Sequence, residues 1–421
     1  MTKNVTFFLR VLCFALPVSS PAATLLEAYQ SALTKNETMA IRRSEVLQSE
    51  ERLSQGWAAV MPNVNFMANY LRQDRGAAAV SAFTREDQGT ARVNLTQPIF
   101  HGMGDWWELK SRKAQIRAQE QAERQSRLDL MGNVAEAYFS VLQAEADAKV
   151  LDEQLQLTEK RIQELKGRVR IGRSRKGELL SAEAQKASVL AQRESATLTI
   201  TSARRNFANT TRLTPETPLT DLGEELRADA SDVSESNVNE VIEKRPDVIA
   251  ARERVTSAEE SVSVMSSQHF PQLDLGANYY LKRTGILETS KWDIGVNLTI
   301  PLFRGGGILA QTREASEKSK ATTLALSQLR EEARRQITTW HATYVQSVAQ
   351  LKAFDEAVKL SEANYAEQTK DFRNGLVNNL EVLTAMNTLQ DTRRNRNKLR
   401  YQTEIARYRY LVSTGKESIT Q

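Results

Sequence analysis

The chain contains the same unit twice, and this duplication constrains its fold more than any other feature. Residues 96–104 read Thr-Gln-Pro-Ile-Phe-His-Gly-Met-Gly, and residues 299–307 read Thr-Ile-Pro-Leu-Phe-Arg-Gly-Gly-Gly. Both segments end a run of alternating apolar and polar residues and begin a long helical pattern. The two copies then stay in register without a gap for about a hundred residues, so the sequence predicts two structural halves rather than a solenoid of short repeats.

Each copy predicts a strand, then a hinge, then a helix. Proline has no amide hydrogen and stands where a β-ladder stops, so Pro98 and Pro301 mark the predicted ends of strands. Gly102 and Gly305 follow them at matching positions and supply the backbone freedom that a change from strand to helix needs. These four residues are the predicted strand-to-helix hinges.

Two β-hairpins are predicted, over residues 63–98 and 272–301. Apolar side chains alternate with Asn, Asp, Gly and Thr in each strand, and aromatic residues lie near one end. Strands of about ten residues with this alternation are typical of membrane β-strands, which have about 9–11 residues. A pair of half-buried hairpins in a soluble protein is the alternative that the strands alone leave open.

Long helices fill most of the remaining sequence. Residues 105–171 and 308–374 contain no proline, and a helix of that length spans about 100 Å. A 3-4 spacing predicts a coiled-coil seam in the first of them, at Ala148, Leu151, Leu155, Thr158, Ile162, Leu165 and Val169. Shorter helices are predicted over 25–60, 178–212, 238–269 and 381–413. Each half therefore has one long helix beside two shorter ones stacked end to end.

The predicted organisation has five parts. Residues 1–23 have a positive start, an apolar stretch and small residues near the end, as in a signal peptide. The first repeat covers 24–213 and the second 238–415. A linker rich in Ser, Pro and acidic residues joins them over 214–237. Residues 416–421 form a C-terminal tail.

Four strands cannot close a membrane barrel alone, because single-chain barrels start at about eight strands. An open sheet edge in lipid also leaves backbone groups without hydrogen-bond partners. If the strands cross a membrane, several copies must combine them: two copies give eight strands and three give twelve.

The chain resembles the TolC family of outer-membrane efflux proteins over roughly residues 24–415. The resemblance rests on the duplicated helix–hairpin–helix unit, the two proline hinges, and Asn-Gly-Leu-Val at 374–377 followed by Glu-Val-Leu-Thr-Ala at 381–385. It implies a homotrimer in which an α-helical coiled-coil tunnel continues a 12-stranded β-barrel. It also implies a periplasmic adaptor and an inner-membrane transporter as partners, with outer-membrane lipid around the barrel.

The resemblance also implies a narrow tunnel tip. The matching positions are Gly172, Glu178, Phe372, Gly375, Val377, Glu381 and Thr384. Gly172 and Gly375 match the tip turns, and Glu178 and Glu381 match acidic residues that narrow the opening. Thr384 stands where a second acidic residue can occur. Phe372 and Val377 stand where family members can have a Tyr and an Arg of the closing network, so this chain departs from that gate chemistry.

The first tip turn is basic instead, with cations at Arg168, Arg170, Arg173, Arg175 and Lys176. Glu178 can pair with this cluster within or between copies, and the cluster would then influence ion selectivity. A solvated basic turn without a functional role is the alternative interpretation.

Composition argues against other classes of function. The net charge is only +5, and Lys and Arg alternate with Glu and Asp along the helices, so nucleic acid is not a predicted partner. The three His and one Cys have no metal-ligand spacing, and the glycines at 305–307 are not followed by the Lys of a phosphate-binding loop. No catalytic residue, metal or cofactor is predicted.

The sequence therefore predicts a passive exit duct in the cell outer membrane with a long periplasmic part. It would belong to a tripartite efflux system, coupled through an adaptor to an inner-membrane pump. The outer-membrane component of one-step (type I) protein secretion is an alternative. A soluble periplasmic coiled-coil scaffold is another, although it does not explain four strands of membrane length.

Overall fold

The structure, a computed structural model, describes residues 22–74, 85–221 and 237–418. Most of the predicted signal peptide, residues 222–236 of the predicted linker and the last three residues of the tail lie outside this part. The described helices are α1 (Leu25–Lys35), α2 (Glu37–Ala58), α3 (Gly104–Arg170), α4 (Lys176–Thr211), α5 (Val238–Lys244), α6 (Pro246–Ser267), α7 (Gly307–Asn374) and α8 (Asn379–Ser413). The strands are β1 (Asn63–Arg72), β2 (Asp87–His101), β3 (Gln272–Arg283) and β4 (Trp292–Thr299).

The single helix predicted over residues 25–60 is wrong, because the structure has two helices there. Asn36 lies between α1 and α2 with an extended backbone, and its side chain accepts a hydrogen bond of 2.9 Å from the amide of Thr38. The Asn36 amide group also donates to the carbonyl of Thr210, at 3.1 Å. This side chain satisfies a free amide at the start of α2 and thereby starts a new helix.

The helix predicted over residues 238–269 is wrong in the same way. Arg245 is extended between α5 and α6, and Pro246 is the first residue of α6. Proline disfavours the helical conformation of the residue before it but fits the first helical position, so α5 ends there and α6 begins. Both halves thus have their break at matching positions.

The four strands form one antiparallel sheet in the order β1-β2-β3-β4. Its register places apolar residues of all four strands in common rows, and one row is Phe66, Val93, Tyr279 and Trp292. The next row on the opposite face is polar. There the Asn94 amide donates to Asn278 at 3.0 Å, and the Asn278 amide donates to Asp293 at 2.7 Å. The predicted alternation is confirmed, and the sheet has one apolar face and one polar face.

Pro98 does not end its strand, which corrects the prediction for the first hinge. Pro98 lies inside β2 and pairs with Asp274 of β3. The strand continues to His101 through an irregularity between Pro98 and Phe100. Such a bulge accommodates a residue that cannot donate to the ladder. In the second half β4 ends at Thr299, so Pro301 does lie beyond the strand.

The two long helices have 67 and 68 residues and run away from the sheet. Near the sheet α3 packs on α2 and α6, where Gln115 donates to Ser257 at 3.1 Å. Farther away it packs on α4 and α8, where Gln154 donates to Asn387 at 3.2 Å. The seam residue Leu151 is fully buried against α4. The neighbours of α3 therefore change along its length, from α2 and α6 near the sheet to α4 and α8 farther away.

The largest cluster of buried side chains lies midway along α3, where α1 packs and where α4 and α8 end. Tyr138, Phe139, Phe207 and Tyr408 pack their rings at centroid distances of 5.6–6.2 Å. The Tyr138 hydroxyl donates to the carbonyl of Ala23 at 3.0 Å, which ties the start of the described chain to this core. This cluster fixes the helices between the sheet and the far end.

Candidate functional site

The two predicted turns lie side by side at the end of the molecule farthest from the sheet. We call this end, formed by residues 168–180 and 372–384, the tip. The Arg168 guanidinium donates to the carbonyl of Phe372 at 3.4 Å, and the Asn379 amide donates to the carbonyl of Glu178 at 3.4 Å. These bonds connect the two halves of the chain, so the structure brings the predicted tip residues together.

Backbone conformation favours glycine at both turns. Gly172 and Gly375 have φ values of +71° and +76°, in the left-handed region that residues with a Cβ avoid. A Cβ at either position would meet no atom within 4 Å. The preference therefore comes from backbone conformation alone, and it explains why the sequence has glycine at both matching positions.

Two guanidinium groups from α3 contact the ring of Phe372. The Arg161 guanidinium carbon is 3.7 Å from the ring centroid and that of Arg168 is 4.2 Å away. The ring is 5% exposed, so both contacts are shielded from water. A cation over an aromatic face is attracted by the ring quadrupole, and desolvation strengthens that attraction. This cluster links α3 of the first repeat to α7 of the second.

Arg161 was missed by the sequence analysis, although it lies seven residues before Arg168 on the same helix face. Its side chain is 7% exposed. Nε donates to Asn379 at 2.8 Å and Nη1 to Glu164 at 2.9 Å, whereas Nη2 is buried without a hydrogen-bond partner in the described chain. Burial lowers the pKa of Arg161, and Glu164 opposes that shift.

Apolar packing surrounds these polar contacts. Ile162, Leu165, Ala182 and Val382 are buried with Phe372 in one cluster. The predicted site residue Val377 is half-buried and packs against this cluster. Val377 thus contributes apolar packing at the position where family members can have an Arg of the closing network.

Glu381 begins α8 as part of a capping box. Its carboxylate accepts from the amide of Asn378 at 2.9 Å, while the Asn378 side chain accepts from the Glu381 amide at 3.2 Å. Two free helix-start amides are satisfied in this way. The side chain is nevertheless exposed, as is Thr384 one turn later, whose hydroxyl donates to the carbonyl of Leu380.

Glu178 and Arg175 start α4. Arg175 is the N-cap residue, is exposed and makes no side-chain capping bond. Glu178 is half-buried and accepts a hydrogen bond from the hydroxyl of Ser174. Within one copy this carboxylate thus bonds to a hydroxyl and not to the neighbouring arginines.

The hinges lie at the other end of the long helices. Gly102 and Gly305 both have φ of +61°, and each is followed by a second left-handed residue, Met103 or Gly306. His101, which the sequence analysis did not single out, lies between two carboxylates, with Nδ1 3.1 Å from Asp105 and Nε2 3.0 Å from Asp274. These contacts fix the end of β2 to the start of α3 and to β3.

No group of three or more His, Cys, Asp or Glu side chains in the described part of the chain is arranged to hold a metal ion. None of its helices combines the length and the apolarity needed to cross a membrane.

Known proteins with similar sequences cover nearly the whole chain. Outer membrane protein TolC of Vibrio cholerae is 23% identical over 412 residues, which is 95% of this chain and 92% of that protein. Outer membrane efflux protein BepC of Brucella suis is 20% identical over 404 residues, covering 94% and 86%. Alkaline protease secretion protein AprF of Pseudomonas aeruginosa is 22% identical over 445 residues, covering 99% and 90%.

Solved structures agree on the fold. The outer membrane protein VceC of Vibrio cholerae superposes with a TM-score of 0.82 at 19% identity, covering 93% of this chain and 96% of that one. The open state of the MtrE outer membrane channel of Neisseria gonorrhoeae gives 0.78 at 17% identity, covering 93% and 89%. The family model described as "Outer membrane efflux protein" matches residues 28–211 and 237–415, one match in each repeat. The chain belongs to the outer membrane efflux protein family.

Proposed function

We propose that three copies of this chain form a passive exit duct that crosses the outer membrane and the periplasm. The sheet is the observation that carries the proposal. Its apolar face is open to the surroundings, with Val64, Phe66, Ile294 and Val296 between 61% and 65% exposed. An apolar face of this size on a folded protein marks a surface that another apolar phase covers. Outer-membrane lipid is that phase here.

Strand count gives the number of copies. β1 and β4 are the two edges of the described sheet, and each has a partner on one side only. Edges in lipid must be paired, because their amides and carbonyls have no water to bond. Joining β4 of one copy to β1 of the next closes a barrel, and three copies give twelve strands with the polar faces inward. Two copies give eight, a barrel whose interior is filled by side chains.

Helix length sets the reach of the duct. A helix of 67 residues, such as α3, extends about 100 Å. Three copies of the helical wall would continue the barrel as a tunnel of that length and place the tip in the periplasm. There it would meet a periplasmic adaptor and an inner-membrane transporter, which supplies the energy, since the proposed duct performs no chemistry of its own.

Efflux is the leading use because TolC and BepC are among the relatives. Type I protein secretion is the second candidate, and the relation to AprF, a protein named for protease secretion, favours it. The two uses differ in the pump that meets the tip. A photo-crosslinking probe at Leu376, which is 73% exposed, would report that pump in living cells. A proton-driven drug pump beside the adaptor supports efflux, and an ATP-driven exporter supports secretion.

Native mass spectrometry of the detergent-solubilised protein tests the assembly, and planar-bilayer recording tests the duct. We expect three chains per particle and stepwise conductance. A particle of one or two chains, or a protein that fractionates with the soluble periplasm and inserts into no bilayer, would contradict the proposal. The second result would favour the periplasmic scaffold.

A further inference from the structure

The turn between α3 and α4 carries four cations that no group in the described chain neutralises. Arg170, Arg173, Arg175 and Lys176 are exposed, and none has a carboxylate within 4.0 Å in the part of the chain that the structure describes. The preceding turn of α3 differs, since Arg168 contacts Glu164 at 3.3 Å. Within one described chain, four positive charges in seven residues thus have no carboxylate partner.

Two carboxylates of the tip accept hydrogen bonds from uncharged donors. Glu178 bonds to the hydroxyl of Ser174, and Glu381 bonds to the amide of Asn378. The second turn adds a further exposed cation, Arg373. The tip therefore presents an excess of positive charge, although Lys and Arg exceed Asp and Glu by only five in the chain as a whole.

Exposed aliphatic side chains lie among these cations. They come from both turns, and their exposed fractions are 65% for Ile171, 55% for Leu180, 73% for Leu376 and 68% for Leu380. We call the four cations and these four aliphatic side chains the tip patch. The two turns hold it together through the Arg168–Phe372 and Asn379–Glu178 hydrogen bonds.

We propose that the tip patch docks a protein segment that is acidic and carries exposed apolar side chains. Carboxylates of the partner would pair with the four cations, which sets orientation and association rate. Its apolar side chains would cover the isoleucine and leucines, which contributes affinity as water leaves the contact. This inference rests on the proposed function, in which the tip meets the adaptor, and it specifies the chemistry of the adaptor's contacting end.

The charge pattern favours a protein over other anionic partners. The cations occupy one short turn with aliphatic neighbours, whereas single-stranded nucleic acid is bound by a basic groove with aromatic stacking platforms. A membrane surface would attract the same cations without preferring a particular arrangement of carboxylates. Vesicles are therefore included as a competing partner in the test.

Two synthetic helical hairpins serve as probes for the full-length protein in detergent. Both have the same leucines at the turn, and one carries four Glu and the other four Lys beside them. We expect the acidic hairpin to bind at least tenfold more tightly in fluorescence anisotropy. That preference should shrink between 50 and 300 mM salt, as expected for screened surface charges.

The variant Arg173→Glu/Arg175→Glu should reverse the preference between the hairpins. Arg313→Glu/Lys318→Glu is the matched control, because it makes the same charge change at exposed positions of α7 near the sheet and should leave the preference unchanged. Equal binding of both hairpins, binding of neither, or tighter binding to phosphatidylglycerol vesicles than to the acidic hairpin would overturn the inference.

Conductance of the same variants in planar bilayers separates this inference from the proposed function. Charge-reversed protein that still conducts while the hairpin preference reverses supports both. Conducting protein without a hairpin preference overturns only the docking inference. Absence of conductance in the unaltered protein overturns the duct whatever the hairpins do.

Discussion

Arg161 shows how one buried cation connects three helices. It bonds to Asn379 at the start of α8, bonds to Glu164 on its own helix and stacks on Phe372 of α7. Removing one partner of a buried hydrogen bond leaves the other with the cost of its lost hydration. The residue is therefore expected to hold the tip turns together rather than to contact cargo.

Arg161→Met tests this role. We expect the variant to lower the free energy of local opening at the tip by about 1–3 kcal/mol, because the Asn379 oxygen loses a buried donor. Hydrogen exchange of the amides at the start of α8 measures that energy. Lys160→Met is the matched control, since Lys160 is exposed on the same helix, and it should change the energy by less than about 0.5 kcal/mol. Equal effects of the two substitutions would contradict the assignment.

Glu381 combines a structural bond with a proposed role as an acidic residue facing the pore. Glu381→Gln keeps an oxygen that can accept from the Asn378 amide but removes the charge. If three such carboxylates line the opening, the reversal potential in a salt gradient should shift away from cation selectivity while stability stays close to that of the unaltered protein. Glu381→Ala should also destabilise the start of α8 by about 0.5–1.5 kcal/mol, because its half of the capping box, the bond from the Asn378 amide, is lost. An unchanged reversal potential in both variants would remove Glu381 from the pore.

At the scale of elements, the hinges perform the same change of direction in different surroundings. Both have two consecutive left-handed residues. A Cβ at Gly102 would lie 2.5 Å from the carbonyl oxygen of Ser267 and 2.7 Å from the Cβ of Phe270, whereas a Cβ at Gly305 would meet nothing within 4 Å. The first hinge is packed against the end of α6, and the second is open in a single chain.

Gly102→Ala and Gly305→Ala therefore form a matched pair. In both variants the new alanine must adopt the left-handed conformation, which costs about 1–2 kcal/mol of folding free energy. Only Gly102→Ala adds a clash with backbone atoms. We expect a clearly lower unfolding midpoint for Gly102→Ala, measured by circular dichroism during thermal unfolding. If Gly305→Ala proved equally damaging, the second hinge would have to be packed against a neighbouring copy.

At the scale of the whole molecule, a carboxylate of the first repeat lies close to charged groups of the second. Asp129 on α3 accepts from Gln125 at 2.9 Å and has Arg245, Asp247 and Arg409 of the second repeat nearby. Partial desolvation by the surrounding helices, reinforced by Asp247, raises the pKa of Asp129 above its ordinary value of 3.8, although Gln125 and the two arginines oppose the shift. Folding therefore makes the carboxyl group of Asp129 harder to ionise than it is in the unfolded chain.

This shift has a definite sign for stability. A carboxyl group whose pKa is higher in the folded state lowers the free energy of unfolding as pH rises above its unfolded-state pKa. This loss reaches its full size once pH exceeds the pKa of the folded state. Asp129→Asn removes this loss, so the variant should unfold at a higher urea concentration than the unaltered protein at pH 7. The difference should vanish at pH 3, below the ordinary value. A variant that is less stable at pH 7 would show that the ionised carboxylate stabilises the junction of the repeats.

Several parts of this architecture can be predicted from short-range patterns in the sequence. A period of two residues predicted the strands, and a 3-4 spacing predicted the long helices, because each pattern follows from the geometry of its own element. Duplication predicted two matching halves. The glycines of the tip turns were also predictable, since glycine adopts the left-handed conformation at the lowest cost whatever surrounds it.

Tertiary structure alone decided the contacts between distant segments. Arg161 and Phe372 are 211 positions apart in the chain and meet only because α3 and α7 pack alongside α8 at the tip. Pro98 remains in its strand because β3 pairs with β2 as far as His101. The presence of a proline in the sequence does not predict this pairing. The sequence by itself determined which elements form, since local patterns set their period and length. Packing determined which side chains share a site, since burial and hydrogen bonding are settled only when the elements come together.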